Sequence, residues 1–250
     1  MTGFTVIIPA RFGSTRLPGK PLRRIAGLPM IRHVHLRAVE SGAAAIIVAT
    51  DDERIVQTCR EFGADAVLTS ADHGTGTDRL AEVVAQRGLA EDDIVVNLQG
   101  DEPLMNPALL TRVADDLAAD RKADIATLAV PLPRTQIGNA NAVKVVCNRA
   151  GQALYFSRAP IPWPRDDEDC GNEGGPWMHH LGIYAYRAGF LGRFPSLEVP
   201  AMERLEKLEQ LRALYHGYRI VVGCVSEAPG GGVDTEADLA RVDSILNARA

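Results

Sequence analysis

Short apolar, β-branched runs punctuate the first half of the chain, at Phe4–Ile8, Ala45–Ala49, Ala66–Leu68, Ile94–Leu98 and Ile125–Val130. Each is short enough for a strand buried on both faces of a sheet. Between them, helical spacing of apolar positions appears near Met30–Ser41, Glu53–Phe62, Asp78–Gln86 and Pro107–Asp120. Gly42 and Gly63 stand where the first two of these helices should stop, because glycine takes the left-handed conformation of a helix C-terminus without steric cost. Strand and helix therefore alternate. That order predicts an α/β fold, a mostly parallel sheet flanked by helices and joined by right-handed crossovers.

After about Pro131 the pattern changes. Val143–Cys147 and Ala153–Phe156 flank Asn148–Gly151 and predict a hairpin, and a long loop runs from Arg158 to Trp177. A strand at Leu181–Tyr186, a helix over Ala201–Tyr215, a strand at Ile220–Val225 and a closing helix from about Glu236 to Asn247 complete the expected order. A chain of 250 residues suits one domain, 1–250, with 131–190 expected as a smaller inserted lobe that builds a lid or a subunit contact. No internal repeat or low-complexity segment interrupts it.

Composition narrows the picture by exclusion. The net charge is −5, so no nucleic-acid-binding face is advertised. No run approaches the ~18 apolar residues of a membrane span, and the start lacks a charged segment followed by an apolar signal region. The expectation is a soluble, cytoplasmic protein with neither nucleic acid nor membrane as partner. Cys59, Cys147, Cys170 and Cys224 are far apart with no C-x-x-C, which argues against zinc and against a redox pair. The first, second and fourth fall in apolar or periodic segments and read as small core residues, while Cys170 lies in a polar loop. His33, His35, His73, His179 and His216 show no ligand spacing.

The strongest chemical signal is the stretch PARFGSTRLPGKPL, Pro9 to Leu22, which follows the first apolar run. Gly13 and Gly19 allow backbone N–H groups to turn toward a ligand, and successive N–H groups form an anion-binding concavity. Arg11, Arg16 and Lys20 add a planar fork or a point charge for phosphate oxygens. The stretch is neither a P-loop, since Pro21 follows Lys20, nor a G-x-G-x-x-G turn. Its place after the first strand is where open α/β sheets bind ligands, which favours a nucleoside triphosphate over an incidental basic loop. Asp101 follows the buried run Ile94–Leu98 and a glycine, which puts it at the carboxyl end of the sheet beside this loop. It reads either as a turn-capping residue or as a magnesium ligand, because Mg²⁺ favours one or two carboxylates with phosphate oxygens and water. Asp234 reads either as such a ligand or as the cap of the last helix, with Thr235 competing for the cap.

Seven segments in order carry a resemblance: the Pro9–Leu22 loop, HGTGTDR (His73–Arg79), NLQGDEP (Asn97–Pro103), YFSRAPIPW (Tyr155–Trp163), HLGIYAYR (His180–Arg187), LEQLR (Leu208–Arg212) and GVDTEADL (Gly232–Leu239). Together they resemble the 3-deoxy-manno-octulosonate cytidylyltransferases, or CMP-Kdo synthetases, over nearly the whole chain. Thr75, Glu236 and Met202 stand where that family commonly has Ser, Pro and Leu. The resemblance implies a nucleotide-diphospho-sugar transferase fold, usually dimeric. The implied activity is transfer of CMP from CTP to the anomeric hydroxyl of 3-deoxy-D-manno-octulosonate (Kdo), releasing pyrophosphate and serving lipopolysaccharide assembly.

The resemblance also implies roles. Arg11, Lys20 and Asp101 are catalytic. Ala10, Arg11, Lys20, Gly76, Thr77 and Arg79 bind the nucleotide, and Gln99, Arg158, His180, Tyr184, Glu209 and Gln210 bind the sugar. Asp101 and Asp234 hold Mg²⁺. Read from the residues alone, Gly76–Arg79 is a plain helix start, Arg79 a solvated charge and His180 a core histidine. On a continuous helix Glu209 lies about 40° from Leu205, flanking an apolar stripe, where a solvated glutamate is a second reading. CMP transfer to a related acidic sugar (an 8-amino Kdo analogue or a nonulosonate) and a non-catalytic nucleotide-binding subunit are the alternatives. The loop 165–175 carries no motif.

Overall fold

The computed structural model describes residues 3–13, 16–166 and 175–248. In chain order the strands are β1 (Thr5–Ala10), β2 (Arg24–Ile25), β3 (Leu28–Pro29), β4 (Ala45–Thr50), β5 (Asp65–Leu68), β6 (Ile94–Asn97), β7 (Ile125–Pro131), β8 (Lys144–Cys147), β9 (Ala153–Ser157), β10 (Met178–Arg187) and β11 (Ile220–Cys224). The helices are α1 (Met30–Glu40), α2 (Glu53–Glu61), α3 (Gly76–Arg87), α4 (Pro107–Ala119), α5 (Ala188–Arg193), α6 (Ala201–Glu206), α7 (Gln210–Tyr215) and α8 (Glu236–Asn247). The main sheet runs β11-β7-β10-β6-β1-β4-β5. Its pairs are parallel except for β10, which lies antiparallel between β6 and β7.

Alternation along the buried strands divides the core. Val6 and Ile8 face one side with Ile31 of α1, Ile55 of α2 and Leu110 of α4. Ile7 faces the other with Leu80 of α3, Phe190 of α5 and Leu211 of α7. Gly42 and Gly63 have φ of +73° and +78°, the left-handed stops their positions predict. The hairpin β8–β9 forms antiparallel and joins the main sheet through the start of β10. Within 131–190, therefore, one strand is central to the main sheet and two extend from it. No helix among the described residues is long and apolar enough to cross a membrane.

Three expectations change. The helix over Ala201–Tyr215 is two short helices, because Lys207 adopts φ 54°, ψ 46° and caps α6 with its N–H on the Glu203 carbonyl. A left-handed non-glycine residue costs about 1–2 kcal/mol, so no local preference announces the break. The relation of Glu209 to Leu205 on one helical wheel therefore fails: Leu205 is 84% exposed, whereas Glu209 is half-buried at the N-cap position of α7 and makes no side-chain capping bond there. Cys224 is exposed rather than a core residue, since it ends the edge strand β11; Cys59 is buried and Cys147 half-buried. Cys170 lies outside the described residues.

Candidate active site

The loop after β1 is shaped by its own backbone and held from below. Gly19 has φ +65° and donates its N–H to the Phe12 carbonyl at 3.3 Å. A Cβ there would stand 3.3 Å from the Phe12 ring, so glycine meets both a torsional and a space requirement. The Arg54 guanidinium lies over the Phe12 ring, 3.4 Å from its centroid, and the Phe12 N–H donates to Asp51 Oδ1. Leu17, Ile25 and Met30 pack with Val233 and Val242 in a separate apolar cluster, which fastens the loop base to the start of α8.

This packing sets two carboxylates opposite one cation. Val233 donates its N–H to the Asp101 carbonyl at 2.9 Å, bringing Asp234 beside Asp101. Lys20 Nζ donates to Asp101 Oδ2 at 2.7 Å, to the Val233 carbonyl at 2.8 Å and to Asp234 Oδ1 at 3.1 Å. Arg16 reaches the same Asp234 oxygen at 3.1 Å. The capping alternative for Asp234 does not hold, because Thr235 caps α8 and forms a reciprocal capping box with Asp238. Burial, then the charges of Asp101 and Asp234, push the Glu102 carboxyl up to about 7, against the lowering effect of Lys20 and Arg241.

A cleft of about 330 Å³ opens over these groups. Ala10, Arg11, Lys20, Gly76, Arg79, Gln99, Asp101 and Asp234 all border it. Its floor needs Gly100, where a Cβ would lie 2.6 Å from the Pro9 carbonyl. Arg79 is not a solvated charge: its side chain is 1% exposed and spans Thr69 Oγ1 and Asp51 Oδ2. Its charge is thus already answered by Asp51, which also holds the Phe12 N–H. Gln99, grouped above with the sugar residues, faces this cleft.

Across the first turn of α3 lies a second cavity of about 90 Å³. Thr77, grouped above with the nucleotide residues, faces this one together with Tyr184, Glu209 and Gln210. Thr77 Oγ1 donates to Glu209 Oε2 at 2.7 Å. Glu209 Oε1 and Gln210 Nε2 are buried without a hydrogen-bond partner among the described residues. Burial raises the Glu209 carboxyl above its ordinary range, against the lowering effect of Thr77, Thr75 and Arg212. Buried polar atoms left unpaired are costly, so a cavity lined by them is built to receive a polar ligand.

Two implied sugar residues are engaged in the protein itself. His180 is 7% exposed, packs edge-on against Phe156 at 4.9 Å, and lies 5.3 Å from the Tyr184 ring. Its Nε2 meets Thr127 Oγ1 at 3.0 Å, and that hydroxyl donates to the Ile183 carbonyl at 2.7 Å. The Thr oxygen is left to accept, so Nε2 carries the proton of a neutral ring. Burial, with His179 adding to it, pushes His180 down to about 3. Arg158 donates from Nε to the Glu206 carbonyl at 2.7 Å and from a terminal nitrogen to the Ala140 carbonyl at 3.0 Å. It ties the hairpin to α6 and does not border either cavity.

Tyr186, Phe190 and Phe194 were not singled out from the sequence, yet they wall the second cavity. For Tyr186 a signal existed: it is two residues from Tyr184 on one strand, hence on the same face, and the two rings stack at 5.6 Å.

A family model described as "Cytidylyltransferase" matches residues 5–220. This chain belongs to the cytidylyltransferase family. It is 57% identical over 244 residues to the 3-deoxy-manno-octulosonate cytidylyltransferase of Halorhodospira halophila, covering 96% of this chain and 95% of that one. The corresponding protein of Alkalilimnicola ehrlichii is 57% identical over 250 residues, 98% and 96% of the two chains. A solved structure of CMP:2-keto-3-deoxy-manno-octonic acid synthetase complexed with CTP matches with a TM-score of 0.90 and 42% identity over all of both chains. A cytidylyltransferase from Leptospira borgpetersenii shares the fold, with a TM-score of 0.63 at 16% identity over 99% of this chain and 88% of that one. The cytidylyltransferase sheet, mostly parallel and flanked by helices, is the nucleotide-sugar transferase fold.

Proposed function

We propose that this enzyme transfers CMP from CTP to the anomeric hydroxyl of Kdo, giving CMP-Kdo and pyrophosphate. One observation carries the reading: a strongly charged cleft bordered by Gly76 and a smaller cavity with unpaired polar atoms bordered by Thr77 lie at adjacent residues of the first turn of α3. The cleft matches a triphosphate, since Arg11, Arg16 and Lys20 gather at a glycine-bearing loop and Gly76, the first residue of α3, borders it. The cavity matches a hydroxylated sugar, with Glu209 Oε1 accepting from a hydroxyl and Gln210 Nε2 donating to one. The names of the relatives supply the identity of that sugar.

In this reading the sugar hydroxyl attacks the α-phosphorus in line with the departing pyrophosphate. Arg11 and Lys20 meet the charge that grows on the leaving group, in a site whose donors are held before reaction begins. Gln99 and Gly76 position the nucleotide beside the sugar, and Thr77 holds Glu209 in place. The donor set suits a magnesium ion. Asp101 and Asp234 converge on one cation, here the Lys20 ammonium, and no group of three or more metal-binding side chains exists among the described residues. Two carboxylates completed by phosphate and water is a magnesium pattern. Asp101 and Asp234 would hold the ion, which when bound neutralises phosphate charge.

A homodimer belongs to this reading, supported by Leu154 and Trp163, which are 59% and 74% exposed on the 131–190 segment. The test is pyrophosphate release with CTP, Mg²⁺ and Kdo. Release that requires both substrates supports the reading, and clear preference for UTP or ATP contradicts it.

A further inference from the structure

The LEQLR segment contributes Glu209 and Gln210 to the second cavity, but its last residue has no part in the reading above. Arg212 is 6% exposed. Its Nε and one terminal nitrogen donate to the two carboxylate oxygens of Glu203 at 2.8 and 2.6 Å. Both side chains are withdrawn from water, at 8% and 12% exposure. The guanidinium carbon also lies over Phe194, 4.3 Å from the ring centroid, and Phe194 is a wall of the cavity.

Glu203 lies on α6 and Arg212 on α7, so the pair spans the left-handed turn at Lys207. A buried ion pair adds little net stability over apolar residues of similar size, yet its geometry is specific. The planar fork of Arg fixes direction as well as distance, which the point charge of Lys does not. We infer that Arg212 is a positioning residue for the sugar cavity: paired with Glu203 it holds α7 at the Lys207 turn, and stacked on Phe194 it holds the wall. Glu209 and Gln210, three and two residues before it, are thereby aimed into the cavity rather than along a continuous helix. This rests on the reading of that cavity as the sugar site.

The experiment compares Arg212→Lys, Glu203→Gln and Gln210→Ala by steady-state kinetics with Kdo, calorimetric titration of CTP and thermal unfolding. Arg212→Lys keeps the charge and loses the fork, and it should lower kcat/KM for Kdo by roughly 10–10²-fold, the scale of a small misplacement. CTP affinity should stay within about twofold, because tight coupling is expected only between residues in contact. Glu203→Gln should give the same separation of sugar from nucleotide, and the double variant should be no worse than the poorer single one. This also covers the case in which Arg212→Lys fails to fold. Loss of CTP affinity and thermal stability in step with Kdo turnover would overturn the inference, as would wild-type Kdo kinetics in both variants while Gln210→Ala is impaired. Wild-type Kdo kinetics in Gln210→Ala would instead remove the sugar reading of the cavity, and the inference with it.

Discussion

Lys20 is the counter-charge of Asp101: its ammonium lies 2.7 Å from Oδ2, within the cleft and 14% exposed. The same nitrogen reaches Asp234, so one ammonium bridges both carboxylates proposed to hold magnesium, with Arg16 also on Asp234. When a triphosphate enters, the ammonium has phosphate oxygens to turn to. Lys20→Met should therefore lower kcat/KM for CTP by about 2–4 kcal/mol in transition-state terms. It should also tighten Mn²⁺ binding in the absence of nucleotide, read by electron paramagnetic resonance. Unchanged turnover and unchanged Mn²⁺ binding would show that Lys20 serves neither role.

Asp101→Asn and Asp234→Asn should each lower kcat by roughly 10²-fold or more, since each removes a carboxylate proposed to hold the magnesium ion that neutralises phosphate charge. Thr235→Ala provides the contrast. It deletes the cap of α8 and should cost about 1 kcal/mol of stability, with kcat near wild type. Normal turnover in folded Asp234→Asn would leave that carboxylate without a catalytic part.

The parts of this site that the sequence discloses are those whose chemistry is local. Lys20 and Asp101 lie in loops that follow buried strands, where open α/β sheets bind ligands, and β1, β4 and β6 are apolar runs with obvious ends. Lys207 shows the limit. Nothing in AMERLEKLEQLR marks a left-handed residue, and the turn is sustained by the distant pairing of Glu203 with Arg212 and by the Glu206 carboxylate, which accepts from Ser157 Oγ and the Arg158 N–H. His179 and His180 hide the start of β10 in the same way: their polarity suggests a loop, whereas pairing with β7 and β8 makes them strand. Phe194 enters the cavity wall only once the chain has folded back.

Arg158→Ala deletes hydrogen bonds to the carbonyls of Glu206 and Ala140. Thermal unfolding should show a loss of about 1–3 kcal/mol, the cost of leaving such acceptors unpaired. Kdo kinetics should suffer through α6 while CTP affinity remains. An unchanged melting temperature with a large rise in the KM for Kdo would instead make Arg158 a direct sugar contact.

His180 gives a pH dependence of definite sign. Its folded-state pKa, about 3, lies below the ordinary value, so between pH 6.5 and 3 the unfolded chain takes up a proton that the folded one refuses. Stability should fall as pH drops below about 6.5, by up to about 1.4 kcal/mol per pH unit from this group. His35 and His179, both lowered by burial, act in the same direction. Urea unfolding of wild type and His180→Gln at pH 7.5 and 5.5 measures it. The variant should lose less stability over that interval, and equal losses would show that His180 ionises freely in the folded protein.

The central claim is that one enzyme divides its substrates between two cavities, one bordered by Gly76 and the other by Thr77. Glu209 is the sharpest probe, because one carboxylate oxygen is held by Thr77 and the other is unpaired. The decisive measurement is the pair of constants for Glu209→Gln: the KM for Kdo at saturating CTP, and the calorimetric Kd for CTP without sugar. A rise of roughly 10-fold or more in the first, as for a lost polar contact to a substrate hydroxyl, with the second at its wild-type value, is the predicted result. Loss of CTP affinity with an unaltered KM for Kdo would contradict the division and place the nucleotide in the smaller cavity.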